Sequence, residues 1–454
     1  MTKDRKDLDV LLGEPKRAIR SLAVPLSVSY LITQVNMFVD SVWTTSLGSN
    51  VASAIATITP IYWMIMAGGT GLGVGASSTI AYRLGQRNNQ KANELAANAL
   101  FLGLVVSVFA SVIVFFAVDP VITLMGAGDI RSECNDYVMP YILMSWILIL
   151  NGIVSGLLRA EGAGRKSMIV LALTAIFNMI LDPVLIYGMG LGIYGAAWAT
   201  SLAALAATVL GLLWYALDKM QLRLGRDSFV ITKSNMMEVL QVGAPKTAES
   251  LVNNTTNILQ RIFIIMGAGT IGVMLYNLPW RFVGLAVVPI EALGAAVIPV
   301  CSAAIGQRRY DKMFEGMRYS AKLALTILVG MSVFLFIFAE PLMSLFTYSD
   351  SMLEQKDMLV WTLRVYCLLI PPYGFYILGS SMLQALKRSL LATEIMMAWG
   401  VLKLILFFIA CHYSFEAIIY ALVFMHFLSG SVMMTVAFRT ARSKAREAGV
   451  LSAV

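Results

Sequence analysis

MIVLALTAIFNMILDPVLIY, Met168 to Tyr187, is a run of 20 residues with one charged side chain, Asp182. A helix of that length covers about 30 Å, the thickness of a bilayer's hydrocarbon core. A carboxylate is expensive in hydrocarbon, so one found there usually faces a protein-lined cavity and marks an ion or proton route. The run Ala18 to Trp43 repeats the situation with Asp40. The other acids of this half of the chain can be drawn at helix ends or in loops. The plainer reading makes Asp40 a helix-end residue and Asp182 a polar turn before Pro183. That both lie in one half of the chain favours a single shared site.

Outward from these runs, the whole chain reads as an all-α integral membrane protein. Its 454 residues are 58% hydrophobic and 13% charged, with mean hydropathy +0.76. Soluble domains carry about 25% charge. The net charge of +8 lies in short loops between apolar runs, which points to membrane orientation and away from nucleic acid. Met1 to Gly13 lacks the order of a cleaved signal, so the first helix is expected to stay. The cysteines, Cys134, Cys301, Cys367 and Cys411, show no metal spacing, and His412 and His426 are the only histidines. Neither a disulfide framework nor a histidine metal site is expected. The run Gly68-Gly-Thr-Gly-Leu-Gly-Val-Gly75 has no phosphate-loop lysine after it, and its small residues suit close helix packing. No cofactor is called for, and the chain is not read as an enzyme.

The loops alternate in charge. Arg83, Arg87 and Lys91, then Arg159, Arg165 and Lys166, then Lys219, Arg223, Arg226 and Lys233 mark one side. Asp119, Asp129, Glu133 and Asp136, and later Glu340, Asp350, Glu354 and Asp357, mark the other. Positive loops are cytoplasmic. Both termini are then expected in the cytoplasm, in agreement with a reading of twelve spans. The chain also repeats itself. Gly85-Gln86-Arg87 in the first half returns as Gly306-Gln307-Arg308 in the second, and Asp119-Pro120 returns at the same offset as Glu340-Pro341. Pro25 is matched by Pro245, with the offset shorter by a single position. The expected organisation is a cytoplasmic segment over 1–17, a six-helix lobe over 18–217, a cytoplasmic linker over 218–237, a second six-helix lobe over 238–438 and a cytoplasmic tail over 439–454. Repeats of even span number are related by an axis along the membrane normal, and two such bundles imply a central cleft worked by alternating access.

Asn178 and Asp182 are four apart and share a helix face. Asn36 lies one turn before Asp40, Asn151 lies in the fourth span, and Thr200 and Ser201 lie in the sixth. Carboxylates, amide carbonyls and hydroxyls are hard oxygen ligands suited to a small cation, with interhelical hydrogen bonding as the plainer role for the neutral ones. Protonation is the other way to neutralise buried carboxyls, since low dielectric and a second nearby acid both favour the proton. The coupling set is Asp40, Asp182, Asn178, Thr200 and Asn151, with Asp40, Asn178, Asp182 and Thr200 the candidate sodium ligands. The second half carries Asn253, Asn254, Asn257, Gln260 and Arg261 on one stripe, with Arg281, Glu291 and Lys403 beyond. Gln260 or Arg261 stands at the repeat position of Asp40. Asn36, Met37, Met64, Met179, Asn257, Gln260, Arg261 and Arg281 are the candidate cleft-lining residues, methionine being adaptable there.

On these features the chain resembles the multidrug and toxic compound extrusion (MATE) family across about residues 15–440. The resemblance rests on the two six-span halves, the repeated Gly-Gln-Arg, Pro25 with Asp40, and Arg159-Ala-Glu-Gly162 leading into Asn178 and Asp182-Pro183. It implies the MATE fold, two pseudo-symmetric six-helix bundles in the inner membrane, exporting amphiphilic organic compounds against inward sodium or proton flow. It is most similar to the DinF-like branch, which places the cation site in the N-terminal lobe; by position Asp40, Asn178, Asp182 and Thr200, with Asn151, would form it here. A lipid or lipid-linked precursor flippase of the same superfamily is the alternative, and Arg261 and Arg281 would suit an anionic lipid. Small organic molecules and membrane lipids are the expected partners, and a monomer the expected state.

Overall fold

Hydrocarbon offers no water to backbone amides, so a chain this apolar must satisfy them within helices. The computed structural model describes residues 5–124, 127–347 and 353–449, and among them every regular element is helical. Asp350 and the ends of both termini lie outside the described residues. A short α1 (Arg5–Leu12) leads into α2 (Pro15–Thr45), α3 (Ser49–Gly85), α4 (Asn89–Leu124), α5 (Arg131–Leu143), α6 (Ser145–Ala160), α7 (Gly164–Pro183) and α8 (Gly192–Ala216). After the linker come α9 (Lys233–Gly306), α10 (Tyr310–Ile337), α11 (Ala339–Ser344), α12 (Lys356–Ala385), α13 (Ser389–Ala410) and α14 (Phe415–Glu447).

Ten described helices are long and apolar enough to cross a membrane, and α5 with α6, bent by 52°, would together make an eleventh. The part of α9 before Gly269 is helical but is not one of them, because Asn253, Asn254, Asn257, Gln260 and Arg261 dilute its apolar face. Gly269 breaks α9 with φ of 64°, a left-handed conformation that a side chain resists.

The glycine-rich run in α3 is explained by its neighbours. An added Cβ at Gly69 or Gly73 would meet the α6 backbone at Ile149 or Gly152, and one at Gly71 or Gly75 would meet the α9 backbone at Gly243 or Val239. The two glycine pairs, each with a spacing of four, lie on different faces. They let α3 press between α6 and α9 at backbone distance, where dispersion contacts are densest.

Buried apolar residues form two large clusters. One runs from Ala54 to Val239, while the other holds most of the second half together with Leu11, Ala18, Ile19, Leu22 and Ala23. The first turns of α2 therefore pack on the second half, and Gln307 and Lys312 donate to the carbonyl of Leu12 at 3.2 and 3.0 Å. The two Gly-Gln-Arg motifs meet. A Cβ on Gly85 would lie 2.2 Å from the Ala303 carbonyl oxygen, and one on Gly306 would lie 2.1 Å from that of Tyr82. Arg87 and Arg308 both take left-handed backbone, at φ of 60° and 58°. The contact is reciprocal, as a pseudo-two-fold relation requires.

Candidate functional site

α2 packs along α7, and this pairing assembles the polar cluster. Asn36 donates from Nδ2 to Asn178 Oδ1 at 2.9 Å, and Asn178 donates from Nδ2 to Asp182 Oδ1, also at 2.9 Å. The Asp40 carboxyl on α2 faces that of Asp182 on α7, close enough for the two to interact. Asp182 is fully buried, and its Oδ2 has no hydrogen-bond donor among the described residues; nor does the buried Oδ1 of Asn36. Two carboxylates this close repel unless a proton or a cation lies between them. The cluster is thus electrostatically complete only with one positive charge added.

The helix changes form at this point. Pro183 ends α7, and a single π-helical turn, Val184–Gly188, follows, closed by Met189 N–H to the Val184 carbonyl at 2.8 Å. Such turns are rare and often lie at functional sites. Tyr187 donates to the Trp43 carbonyl at 2.6 Å, which ties the turn to the end of α2.

The remaining predicted residues divide. Asn151 donates to Thr208 Oγ1 at 3.1 Å and more weakly to Thr174 Oγ1 at 3.4 Å, one helical turn from Asn178. The Thr200 hydroxyl donates to its own helix at Ala196, and Ser201 does the same at Ala197. Met37 and Met64 are exposed and Met179 is half-buried. Gln260 is buried against the Tyr276 hydroxyl, whereas Asn257, Arg261 and Arg281 are exposed.

Three tyrosines near Asp40 were not singled out in the sequence. Tyr62 on α3 lies 4.9 Å from Tyr141 on α5, and Tyr137 lies 5.2 Å from Tyr141. Nothing in a sequence separates such tyrosines from the many that decorate membrane helices. The expected central cleft is lined by Tyr30, Thr70 and Arg159 from the first half and Lys246, Glu249 and Glu291 from the second; of these, Lys246 and Glu249 were not singled out in the sequence. Glu249 accepts from Lys246 Nζ at 2.9 Å, Ser380 Oγ at 3.0 Å and Gln384 Nε2 at 3.2 Å. Lys246 and Glu249, three apart and so on one face of the early part of α9, were the available signal.

Outside the spans, Glu161 anchors the linker. Its carboxyl, 2% exposed, accepts the backbone N–H groups of Gln221 and Leu222 at 2.6 and 3.0 Å. Burial pushes its pKa up to about 7, against the lowering effect of those donors. Where the C-terminal ends of α3 and α12 meet the start of α9, Glu238 receives Arg83 at 2.8 Å and Lys387 at 2.9 Å. Lys387 also lies 4.1 Å above the Tyr82 ring, a cation–π distance. Burial lowers its pKa, and Glu238 opposes that shift.

The profile of the MatE family matches this chain in two segments, 25–184 and 245–409, which begin at Pro25 and Pro245. The chain is 26% identical over 404 residues to a protein named FAD transporter from Shewanella oneidensis, covering 84% of this chain and 85% of that one. It is 23% identical to Multidrug export protein MepA from Staphylococcus saprophyticus, over 87% and 86% of the two chains. A solved outward-facing structure of a multidrug resistance MATE family transporter of the MOP superfamily superposes with a TM-score of 0.92 at 26% identity. That superposition covers 98% of this chain and 100% of the other.

Proposed function

The chain belongs to the MatE family of the MOP superfamily and is a multi-pass membrane protein for secondary transport of small molecules; from that premise we propose that it is a cation-coupled antiporter whose coupling site is the Asp40–Asp182 pair. The observation that carries the proposal is the approach of the half-buried Asp40 carboxyl to the fully buried Asp182 carboxyl in the first half, with an Asp182 oxygen that has no hydrogen-bond donor among the described residues. One proton or one sodium ion relieves the pair, so the site is charged or neutral according to occupancy. Asn36 and Asn178 relay that change from α2 to α7, because each amide orients the next oxygen. Asn151 braces the same helix one turn away, and Thr200 is the ligand that would turn inward for sodium.

In this reading twelve spans form two lobes, with α5 and α6 together as the fourth and the early part of α9 as the seventh, in the manner of the DinF-like branch. Both termini lie in the cytoplasm of a protein in the inner membrane. The likeness to an outward-facing structure and the reciprocal Gly85–Gly306 contact support a cleft closed on the cytoplasmic side. Cargo enters that cleft, and amphiphilic organic compounds suit its mixture of tyrosine, charge and apolar wall. That one relative is named for FAD and another for multidrug export means that the family's fold serves unlike cargoes. Exposed Arg261 and Arg281 favour a second reading, a flippase for anionic lipid.

The test is transport in sealed proteoliposomes with a sodium or a proton gradient imposed alone. Efflux of an amphiphilic dye that depends on either gradient supports the proposal. Dye movement indifferent to both, or scrambling of a fluorescent anionic lipid in its place, overturns it.

A further inference from the structure

The second half carries no acid at the repeat positions of Asp40 and Asp182. Its α13 is the counterpart of α7 in the first half, Ser389 opening the one and Gly164 the other. Counted from those two helix starts, Lys403 stands where Asn178 stands. The offset that relates the two Gly-Gln-Arg motifs likewise carries Asp40 onto Arg261. The Pro25–Pro245 offset carries Asp40 onto Gln260 instead, so the position of Asn178 holds a cation in the second half and the position of Asp40 holds Gln260 or Arg261.

Lys403 is not a helix-end lysine that reaches for water. It lies about 21 Å along α13 from Ser389. It lines a pocket together with Tyr373, Tyr376, Met396, Trp399 and Met425. No carboxylate lines this cavity, and among the described residues no ion pair or hydrogen bond engages Lys403 Nζ. A charged residue at membrane depth without a partner is a functional-site candidate. A second observation points the same way. The Trp399 indole N–H, buried in the same wall, has no acceptor among the described residues. The pocket thus presents two donors in want of acceptors and aromatic rings beside them. The rings are fixed in advance: His426 packs edge-on to Tyr373 at 5.1 Å and lies 6.0 Å from Trp280. Tyr373, Tyr376 and Met396 also border the larger central cleft, so the pocket is continuous with the transport route.

We propose that this pocket binds the anionic end of an aromatic cargo, with the carboxylate, sulfonate or phosphate on Lys403 and the ring held by Tyr373, Tyr376 and Trp399. The inference deepens the transport reading above, on which it rests, by naming the chemical class of cargo. Opposite charge at the two sites gives each ion its own place: the coupling cation goes to Asp40 and Asp182, the anionic cargo to Lys403.

The experiment is isothermal titration of the purified full-length protein in detergent, with protein-free micelles as the blank. The probes are 1-naphthoate and 1-naphthylmethylammonium, which share a ring and differ in the sign of charge. The wild type is expected to bind the anion about tenfold tighter than the cation, the discrimination a charge-assisted contact supplies. Lys403→Met should erase the preference and Lys403→Arg should keep most of it. Equal or tighter binding of the cation by the wild type overturns the proposal without any variant, as does undiminished anion binding by Lys403→Met. Asp182→Asn is run beside them. Loss of coupled export in that variant with naphthoate binding retained supports both readings, and retained export with retained binding removes the coupling site alone.

Discussion

At the scale of single residues, Asn178 is the joint of the candidate site, since it receives Asn36 and bonds Asp182. Asn178→Ala removes a neutral ligand and leaves both acids. Sodium binding followed by isothermal titration should therefore weaken about tenfold in this variant, while proton-driven efflux falls less. In the wild type sodium should bind better at pH 8 than at pH 6, because protons compete for the same oxygens; equal binding at both pH values would separate the two ions. Glu161 supplies a different pH effect. Its folded pKa of about 7 lies above the unconstrained value of 4.5, so the folded state holds the proton more tightly. Its stabilising contribution is full below that lower value and is lost as pH rises through about 7. Glu161→Gln should flatten that part of the melting curve against pH and raise the melting temperature at pH 8; a parallel shift at every pH would show that the carboxyl does not titrate there. The acids and Asn178 were legible in the sequence because carboxylates are conspicuous in apolar runs. Glu161 was quoted within a motif, yet its task was hidden, because the linker amides it receives lie far along the chain, beyond two further helices.

At the scale of elements, helix contact is set by glycine. The run Gly68 to Gly75 was readable as packing, but its two faces were not, since they depend on which helices flank α3. The Gly-Gln-Arg repeat was readable as a repeat, and only the structure brings its two copies against each other. Gly85→Ala and Gly306→Ala each force a methyl into a backbone carbonyl. Each should cost about 1–3 kcal/mol, seen as a lower melting temperature, with the double variant losing less than the sum because both relieve one contact. Full additivity would mean that the two glycines do not share an interface. The π-turn after Asp182 was announced only by Pro183, which signals a helix change without saying which kind.

At the scale of the whole molecule, apolar runs made the membrane class plain, and the repeat suggested two halves. The way α2 crosses to pack its first turns on the second half was not legible, because Ala18, Ile19 and Leu22 suit either neighbour. Charge alternation predicts orientation: Ser443→Cys should react with an impermeant thiol reagent only after lysis, and Asn50→Cys in intact cells. All four native cysteines are buried, so the background should be low. Labelling of position 443 from outside would reverse the topology.

The central claim is that the Asp40–Asp182 pair couples cargo to a cation. The direct measurement is gradient-driven efflux from proteoliposomes carrying equal amounts of wild type, Asp40→Asn and Asp182→Asn. Neutral amides keep the hydrogen bonds but cannot take up and release the cation's charge. Loss of gradient-driven efflux in both variants, with wild-type purified yield and melting behaviour, is the predicted result. Full efflux by both variants under the same gradient would contradict the account.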